Sequence, residues 1–146
     1  MNMIRKATSN DLARIAEIFI FNYRLYFYPI FRNDDFYFAE LQVPAMMEQM
    51  KDSLGRIWVY DDGTVKGFIE TDGSEVRRLF VEPVLQGQKI GSALLTFAID
   101  EQRADTLWAL EKNTRAIRFY ARLGFHVTTD RKSEPETDEF LVRMQR

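Results

Sequence analysis

Residues 79–95, Leu-Phe-Val-Glu-Pro-Val-Leu-Gln-Gly-Gln-Lys-Ile-Gly-Ser-Ala-Leu-Leu, pass from an apolar strand through a proline turn and a glycine-containing polar loop into an amphipathic helix. That order builds an anion site from backbone. The first amides of a helix have no carbonyl partners within it and point outward with the positive end of the helix dipole, so a phosphate can dock there with little help from side chains. Two other phosphate motifs do not fit. Residues 87–92 lack the Gly-Lys-Ser/Thr ending of a nucleotide P-loop, and the dinucleotide pattern GxGxxG is absent.

With 146 residues, the chain suits a single domain (1–146) that buries roughly 70% of the surface its unfolded form exposes. Lys and Arg total 20 against 22 for Asp and Glu, which gives no global positive field for nucleic acid or anionic lipid. There is no cysteine and one histidine, His126, so disulfides, thiolate nucleophiles and Cys/His zinc cages are excluded, and nothing arranges carboxylates for an oxygen-only metal site. No segment approaches the roughly 20 apolar residues of a membrane helix. A cytoplasmic location without membrane or nucleic-acid partners is the expectation.

Helix and strand alternate along the chain. Residues 3–6 form a short candidate strand, and Thr8-Ser9-Asn10-Asp11 resembles a capping box before Leu12, Ile15, Ala16 and Phe19 at helical spacing. Pro44 suits the first turn of a second helix with Met46, Met47, Met50 and Leu54 inward. Asp61-Asp62-Gly63 and Asp72-Gly73 punctuate strands 56–60, 64–70 and 75–81 into an antiparallel meander. A helix over about 92–103 carries Ile90, Leu94, Phe97 and Ala98 on one face, and a buried strand follows at 106–110. Asn113 caps a helix with Ala116, Phe119, Tyr120 and Leu123 at helical spacing, Gly124 ends it in a left-handed turn, and strands 125–128 and 140–144 close the chain. The crossover through a helix predicts that the fourth and fifth strands are parallel in an otherwise largely antiparallel sheet.

In this order of elements, residues 79–83 followed by Gln86-Gly87-Gln88-Lys89-Ile90-Gly91, and then Asn113-Thr114-Arg115-Ala116-Ile117-Arg118-Phe119-Tyr120 through Leu123-Gly124-Phe125, resemble the GNAT superfamily of N-acetyltransferases over essentially the whole chain. The resemblance implies an α/β (α+β) fold, with a mixed, mostly antiparallel sheet of about 6–7 strands, about 4 helices, and strands 4 and 5 parallel and splayed. It implies acetyl-CoA as cosubstrate and no metal. The pantetheine arm would lie against Leu79, Phe80 and Val81, and the pyrophosphate on Gln86, Gly87, Gln88, Lys89, Ile90, Gly91 and Ser92, with Asn113 facing the coenzyme. By register from Pro83 the family's Gln/Arg-x-x-Gly-x-Gly/Ala falls on residues 86–91, so Lys89 replaces its first glycine; a second parse, residues 88–93, lies two positions late. If that position needs positive φ, lysine costs on the order of 1 kcal/mol there; if not, its amide still donates and its ammonium adds charge for phosphate.

Acetyl transfer asks for an unprotonated amine, a stabilised oxyanion and a proton for the departing thiolate. By resemblance, Tyr120 is the acid near the sulfur, against a plain packing role at the edge of an apolar face. Glu75, at the start of the fourth strand, is the base by the same comparison, with Glu70 and Glu111 as alternatives and a solvated carboxylate as the ordinary reading of each. Eight of the chain's twenty aromatic residues, among them Tyr23, Tyr26, Phe27 and Tyr28, crowd the segment between the first two helices. They fit an acceptor pocket wall, a homodimer surface, or a satellite core under a long loop. The last loop, residues 130–138, brings acids near the same mouth, where a cationic amine would be drawn, although a solvated hairpin tip has the same composition. Two functions follow: an acetyl-CoA-dependent N-acetyltransferase acting on a primary amine of a small molecule or peptide in a ternary complex, or a noncatalytic acyl-CoA binding or sensor domain.

Overall fold

A computed structural model describes residues 3–146. The chain enters through strand β1 (Ile4–Lys6) and turns into helix α1 (Leu12–Asn22). Asp11 makes that turn: its carboxylate accepts from the Thr8 amide at 2.8 Å and from the Arg5 guanidinium at 2.9 Å, completing the capping box read from the sequence. Ile15 and Ile18 of α1 are fully buried on one face of the sheet. Helix α3 (Val43–Met50) packs beside them, with Pro44 in its first turn and Met46 and Met50 inward. Met47 and Leu54 are only partly buried, and Leu54 belongs to a 3-10 run, Lys51–Arg56, that continues from α3.

The stretch expected as a connection after α1 is helical instead. A π-helical turn, Tyr23–Phe27, continues α1 directly into the short helix α2 (Tyr28–Phe31), which ends at Arg32 in the left-handed region, and a second π-helical stretch, Asp35–Glu40, precedes α3. Apart from Arg24, every residue of 23–31 is apolar or aromatic, which masks the 3.6-residue period that would reveal a helix. Tyr23 and Phe27, four residues apart, both reach Phe80 of the sheet, with their own ring centroids 4.6 Å apart.

Strands β2 (Ile57–Asp61), β3 (Val65–Asp72) and β4 (Glu75–Val81) form the expected meander, and β5 (Thr106–Leu110), β6 (His126–Ser133) and β7 (Phe140–Gln145) complete a seven-stranded sheet ordered β1-β2-β3-β4-β5-β7-β6. Strand β6 runs farther than expected, so Arg131, Lys132 and Ser133 pair with β7 and only the following residues form the tip. Helix α4 (Ile90–Gln102) covers the opposite face through Leu94, Leu95 and Ala98, beginning two residues before the expected start. Its first turn sits close because Gly67 of β3 lies beneath: a Cβ there would stand 3.0 Å from the Phe80 carbonyl and 3.1 Å from Leu94. Helix α5 (Thr114–Arg122) follows β5, its Asn113 cap accepting from the Ala116 amide at 3.2 Å, and Gly124 ends it at φ 96°.

Only β4 and β5 run parallel, and they pair at just two positions, Glu75 with Thr106 and Val76 with Leu107. Beyond Val76 the strands part. A β-bulge drives the separation: β3 pairs Thr71 with Val76 and Glu70 with Arg78, leaving Arg77 as the extra residue that bends β4 away. The resulting wedge holds the site.

Candidate functional site

The wedge opens toward the loop after β4. A cavity of about 520 Å³ occupies it, walled by Leu79, Phe80 and Val81 of β4, by Gln86, Gly87, Lys89, Ile90, Gly91 and Ser92 of the loop and the start of α4, and by Asn113, Arg115, Phe119, Tyr120 and Arg122 from the α5 side. Of the eleven residues expected from the resemblance to hold coenzyme, ten line this cavity; Gln88 is exposed and does not. Lys89, Arg115 and Arg122 are the charged residues of the wall, which contains no Asp or Glu. An anion is what such a wall selects.

Lys89 sits at φ 66°, ψ 15°, immediately before the first turn of α4. The motif position therefore does need the left-handed conformation, and lysine bears the strain while adding its ammonium. Across the wedge, Arg115 donates to the Gln86 side chain and lies 4.5 Å over the Tyr26 ring. Tyr26 donates to the same Gln86 oxygen at 2.7 Å, and the Gln86 amide donates to Asn22 at 3.1 Å. Asn22, buried at the end of α1, donates in turn to the Val81 carbonyl at 2.9 Å, tying α1 to the splayed tip of β4. Sequence reasoning missed Asn22 and Arg115. An asparagine late in an apolar helix was the available signal for the first.

Tyr120 packs its ring against Phe119 and Phe125, centroids 5.3 and 6.1 Å away. Its hydroxyl makes no hydrogen bond to protein among the described residues, and burial pushes it up to about 12. Tyr120 thus packs against the apolar cluster and also lines the wedge cavity. The expected carboxylate does not join it. Glu75 lies at the closed end of the wedge, 3.4 Å from Arg77, and lines neither this cavity nor the one described next. Glu70 is buried against Arg78 at 2.9 Å, and Glu111 is held by two Arg131 nitrogens at 2.9 Å, which lower its pKa.

The four aromatic residues expected at an acceptor site divide. Tyr26 and Phe27 line the wedge cavity. Tyr23 lines a second cavity of about 280 Å³ between α1, α3 and β4, together with Phe19, Phe36, Glu40, Leu41, Gln42, Ala45, Met46, Gln49 and Arg78. Tyr28 lines neither; it donates to Asp34 at 2.6 Å and meets Tyr37 edge-on and Phe38 at a tilt. Burial pushes the Tyr23 hydroxyl up to about 12 against the pull of Arg78, and Glu134, from the tip between β6 and β7, adds to the rise. Burial likewise raises Tyr37 to about 12, with Tyr23 and Glu134 contributing.

A mixed sheet whose one parallel pair splays beside a basic, glycine-containing helix start defines the class: a fold with a basic cavity in the wedge between two parallel strands. The sequence model of the acetyltransferase (GNAT) domain family matches residues 53–127, and the chain belongs to that family. It is 35% identical over 74 residues to the peptidyl-lysine N-acetyltransferase YjaB of Salmonella typhimurium, an alignment covering 49% of this chain and 51% of that protein. It is 30% identical over 141 residues to the uncharacterised N-acetyltransferase MJ1207 of Methanocaldococcus jannaschii, covering 84% of this chain and 59% of that one. The chain thus spans between half and three-fifths of the length of these two relatives. Among solved structures, the PaiA N-acetyltransferase of Thermoplasma acidophilum in complex with coenzyme A superposes with a TM-score of 0.76 at 20% identity over 98% of both chains, and apo YjaB of Escherichia coli with 0.74 at 22% identity over 97% of this chain and 95% of that one. At these identities the likeness establishes the shared fold.

Proposed function

We propose that residues 1–146 form one N-acetyltransferase domain that moves an acetyl group from acetyl-CoA to a primary amine by direct attack. The observation that carries this is the wedge cavity, whose only charged residues are three cations and whose wall includes Tyr120. Support comes also from the Thermoplasma neighbour, solved with coenzyme A, and from the Salmonella YncA structure, solved with acetyl-CoA. The first α4 amides, the Lys89 ammonium and Arg115 fit the coenzyme's phosphates, and the edge of β4 at Leu79–Val81 that has parted from β5 fits the amide groups of its arm.

In the reaction the amine nitrogen bonds to the thioester carbonyl carbon, the carbon–sulfur bond breaks, the sulfur leaves as a thiolate that takes up a proton, and the amine gives one up. Tyr120 donates a hydrogen bond to that sulfur. Full transfer from a phenol near 12 to a thiolate of ordinary pKa about 8.5 runs uphill, so Tyr120 stabilises the developing charge and water completes the protonation. With no carboxylate unpaired in the wedge, the amine enters already neutral. The test is thiol release from acetyl-CoA across a panel of amines, alongside thermal stabilisation by the coenzyme. Release with at least one amine class is expected; binding without release for any class would assign the noncatalytic acyl-CoA domain instead.

A further inference from the structure

Tyr26 stands apart from the aromatic residues around it. The rings of Tyr23 and Phe27 lie 4.6 Å apart and both come within 6.5 Å of Phe80, forming a layer between the two cavities. Tyr26, on the same π-helical turn, joins no other ring among the described residues; it lines the wedge, and the Arg115 guanidinium lies over its face, 4.5 Å from the ring centroid. We propose that Tyr26 is a positioning residue for the coenzyme: it holds Arg115 across the mouth of the wedge, beside the loop that leads into α4, so that a phosphate meets a cation already in place.

The bonds around Gln86 fix the direction of this hold. Asn22 is buried, and its Nδ2 donates to two carbonyls, of Ile18 at 2.8 Å and of Val81 at 2.9 Å. Carbonyls only accept, so the Asn22 Oδ1 is the atom left for the loop, where it takes a hydrogen bond from Gln86 Nε2 at 3.1 Å. Gln86 Oε1 is thereby turned to the wedge. It accepts from the Tyr26 hydroxyl at 2.7 Å and from Arg115, so tyrosine and arginine converge on one oxygen while the guanidinium rests on the ring. None of these partners carries charge. Arg115 makes no ion pair among the described residues, and the cavity wall holds no Asp or Glu, so the cation is held without being neutralised.

Both consequences favour an anion. A long side chain gives up rotamer freedom when it binds a ligand, and one that is already held gives up less. Stacking occupies the face of the guanidinium and leaves edge N–H donors beyond the one on Gln86 for phosphate oxygens.

The inference rests on the wedge being the coenzyme site, and its test is arranged to fail separately from that reading. The Arg115 Nε–H resonance of the wild-type protein is followed by NMR while inorganic pyrophosphate, and then coenzyme A, is added. It is expected to carry a ring-current shift from Tyr26 in the free protein, absent in Tyr26→Leu, and to move with both ligands. In calorimetric titration Tyr26→Leu is expected to raise the coenzyme A Kd about threefold to fivefold, with Tyr26→Phe, which keeps the ring, within about twofold of the wild type. In the Arg115→Ala background the same Tyr26→Leu change should move the Kd by less than about 1.5-fold, because the residue it positions is gone. In turnover the change should fall on the KM for acetyl-CoA and not on the KM for the acceptor. An Arg115 signal that stays put while coenzyme A binds, equal effects of Tyr26→Leu with and without Arg115, or a raised acceptor KM at unchanged coenzyme Kd would overturn the proposal. Wild-type protein that binds neither pyrophosphate nor coenzyme A would instead sink the coenzyme reading of the wedge, and this role with it.

Discussion

The two cavities that flank β4 differ in charge and in construction. The wedge cavity carries Lys89, Arg115 and Arg122 without an acid, and apart from Asn22, Tyr26 and Phe27 it is built from elements that follow one another in the chain. The cavity on the α1 side carries one unpaired acid, Glu40, and an arginine already neutralised by Glu70, and it gathers residues from positions as distant as Phe19 and Arg78. A basic surface and an acidic residue thus stand on opposite sides of one aromatic layer.

The largest expected effect breaks the chemistry and leaves both cavities whole. Tyr120→Phe keeps the ring contacts with Phe119 and Phe125 but removes the hydroxyl, and turnover should fall by about 10-fold to 10³-fold with acetyl-CoA affinity unchanged. Because burial raises Tyr120 to about 12, the donor form persists as pH rises, so the wild-type kcat profile should show no alkaline limb from this group below about pH 11. A Tyr120→Phe enzyme with wild-type kcat would remove Tyr120 from the reaction.

Next in size are changes that act on the basic side alone. Arg115→Ala removes a cation that crosses the wedge to Gln86, and the acetyl-CoA Kd should rise about tenfold, the scale of one hydrogen bond to a charged group. Raising the salt should weaken coenzyme binding in the wild type and narrow the gap to the variant. Calorimetric titration at two ionic strengths checks both. Lys89→Gly pulls in two directions at once. Relief of the left-handed strain at φ 66° should raise stability by about 1 kcal/mol, while loss of the ammonium lowers coenzyme affinity. Denaturant unfolding and coenzyme titration on the same variant separate the two effects.

Asn22→Leu removes the link between the two sides. Its amide ties the end of α1 to the Val81 carbonyl, which in the variant keeps only the longer bond from Gln86 at 3.3 Å, and the loss should cost about 1 kcal/mol in chemical denaturation. Coenzyme affinity should fall as well, because β4 loses its anchor at the mouth of the wedge.

The basic cavity was legible because its parts are local. The strand, proline turn, loop and helix start lie within seventeen consecutive residues, and the Asn113 cap and Gly124 stop are readable one residue at a time. The acidic cavity was not legible, because it depends on features that leave no periodic trace. The π-helical turn at Tyr23–Phe27 hides in an aromatic run that carries no hydrophobic alternation, and it placed those rings in a ring layer where a loop was expected. The bulge at Arg77 has no glycine or proline to announce it, yet it sets where β4 leaves β5 and therefore which side chains border each space. Glu40 and Arg78 are thirty-eight positions apart in the sequence, and only the fold makes them neighbours of one cavity.

The smallest expected effect concerns Glu75, and it separates spacing from geometry. Counting back from Val81 nominates Glu75 as the base, whereas the fold sets it at the closed end of the wedge beside Arg77 and outside both cavities. Glu75→Gln should therefore keep kcat/KM within about twofold, since a partly exposed ion pair of this kind contributes little to stability. The pH profile decides the matter more sharply than the rate. If the amine enters neutral with no carboxylate to deprotonate it, log kcat/KM should climb with unit slope toward the acceptor's own pKa, about 10.4 for a lysine arm, and the variant should superpose on the wild type. A plateau near neutral pH that Glu75→Gln abolishes would mean that Glu75 reaches the amine through water from the end of the strand. The acidic side of the molecule would then extend along β4 as far as its pairing with β5, and the ring layer would no longer mark its boundary.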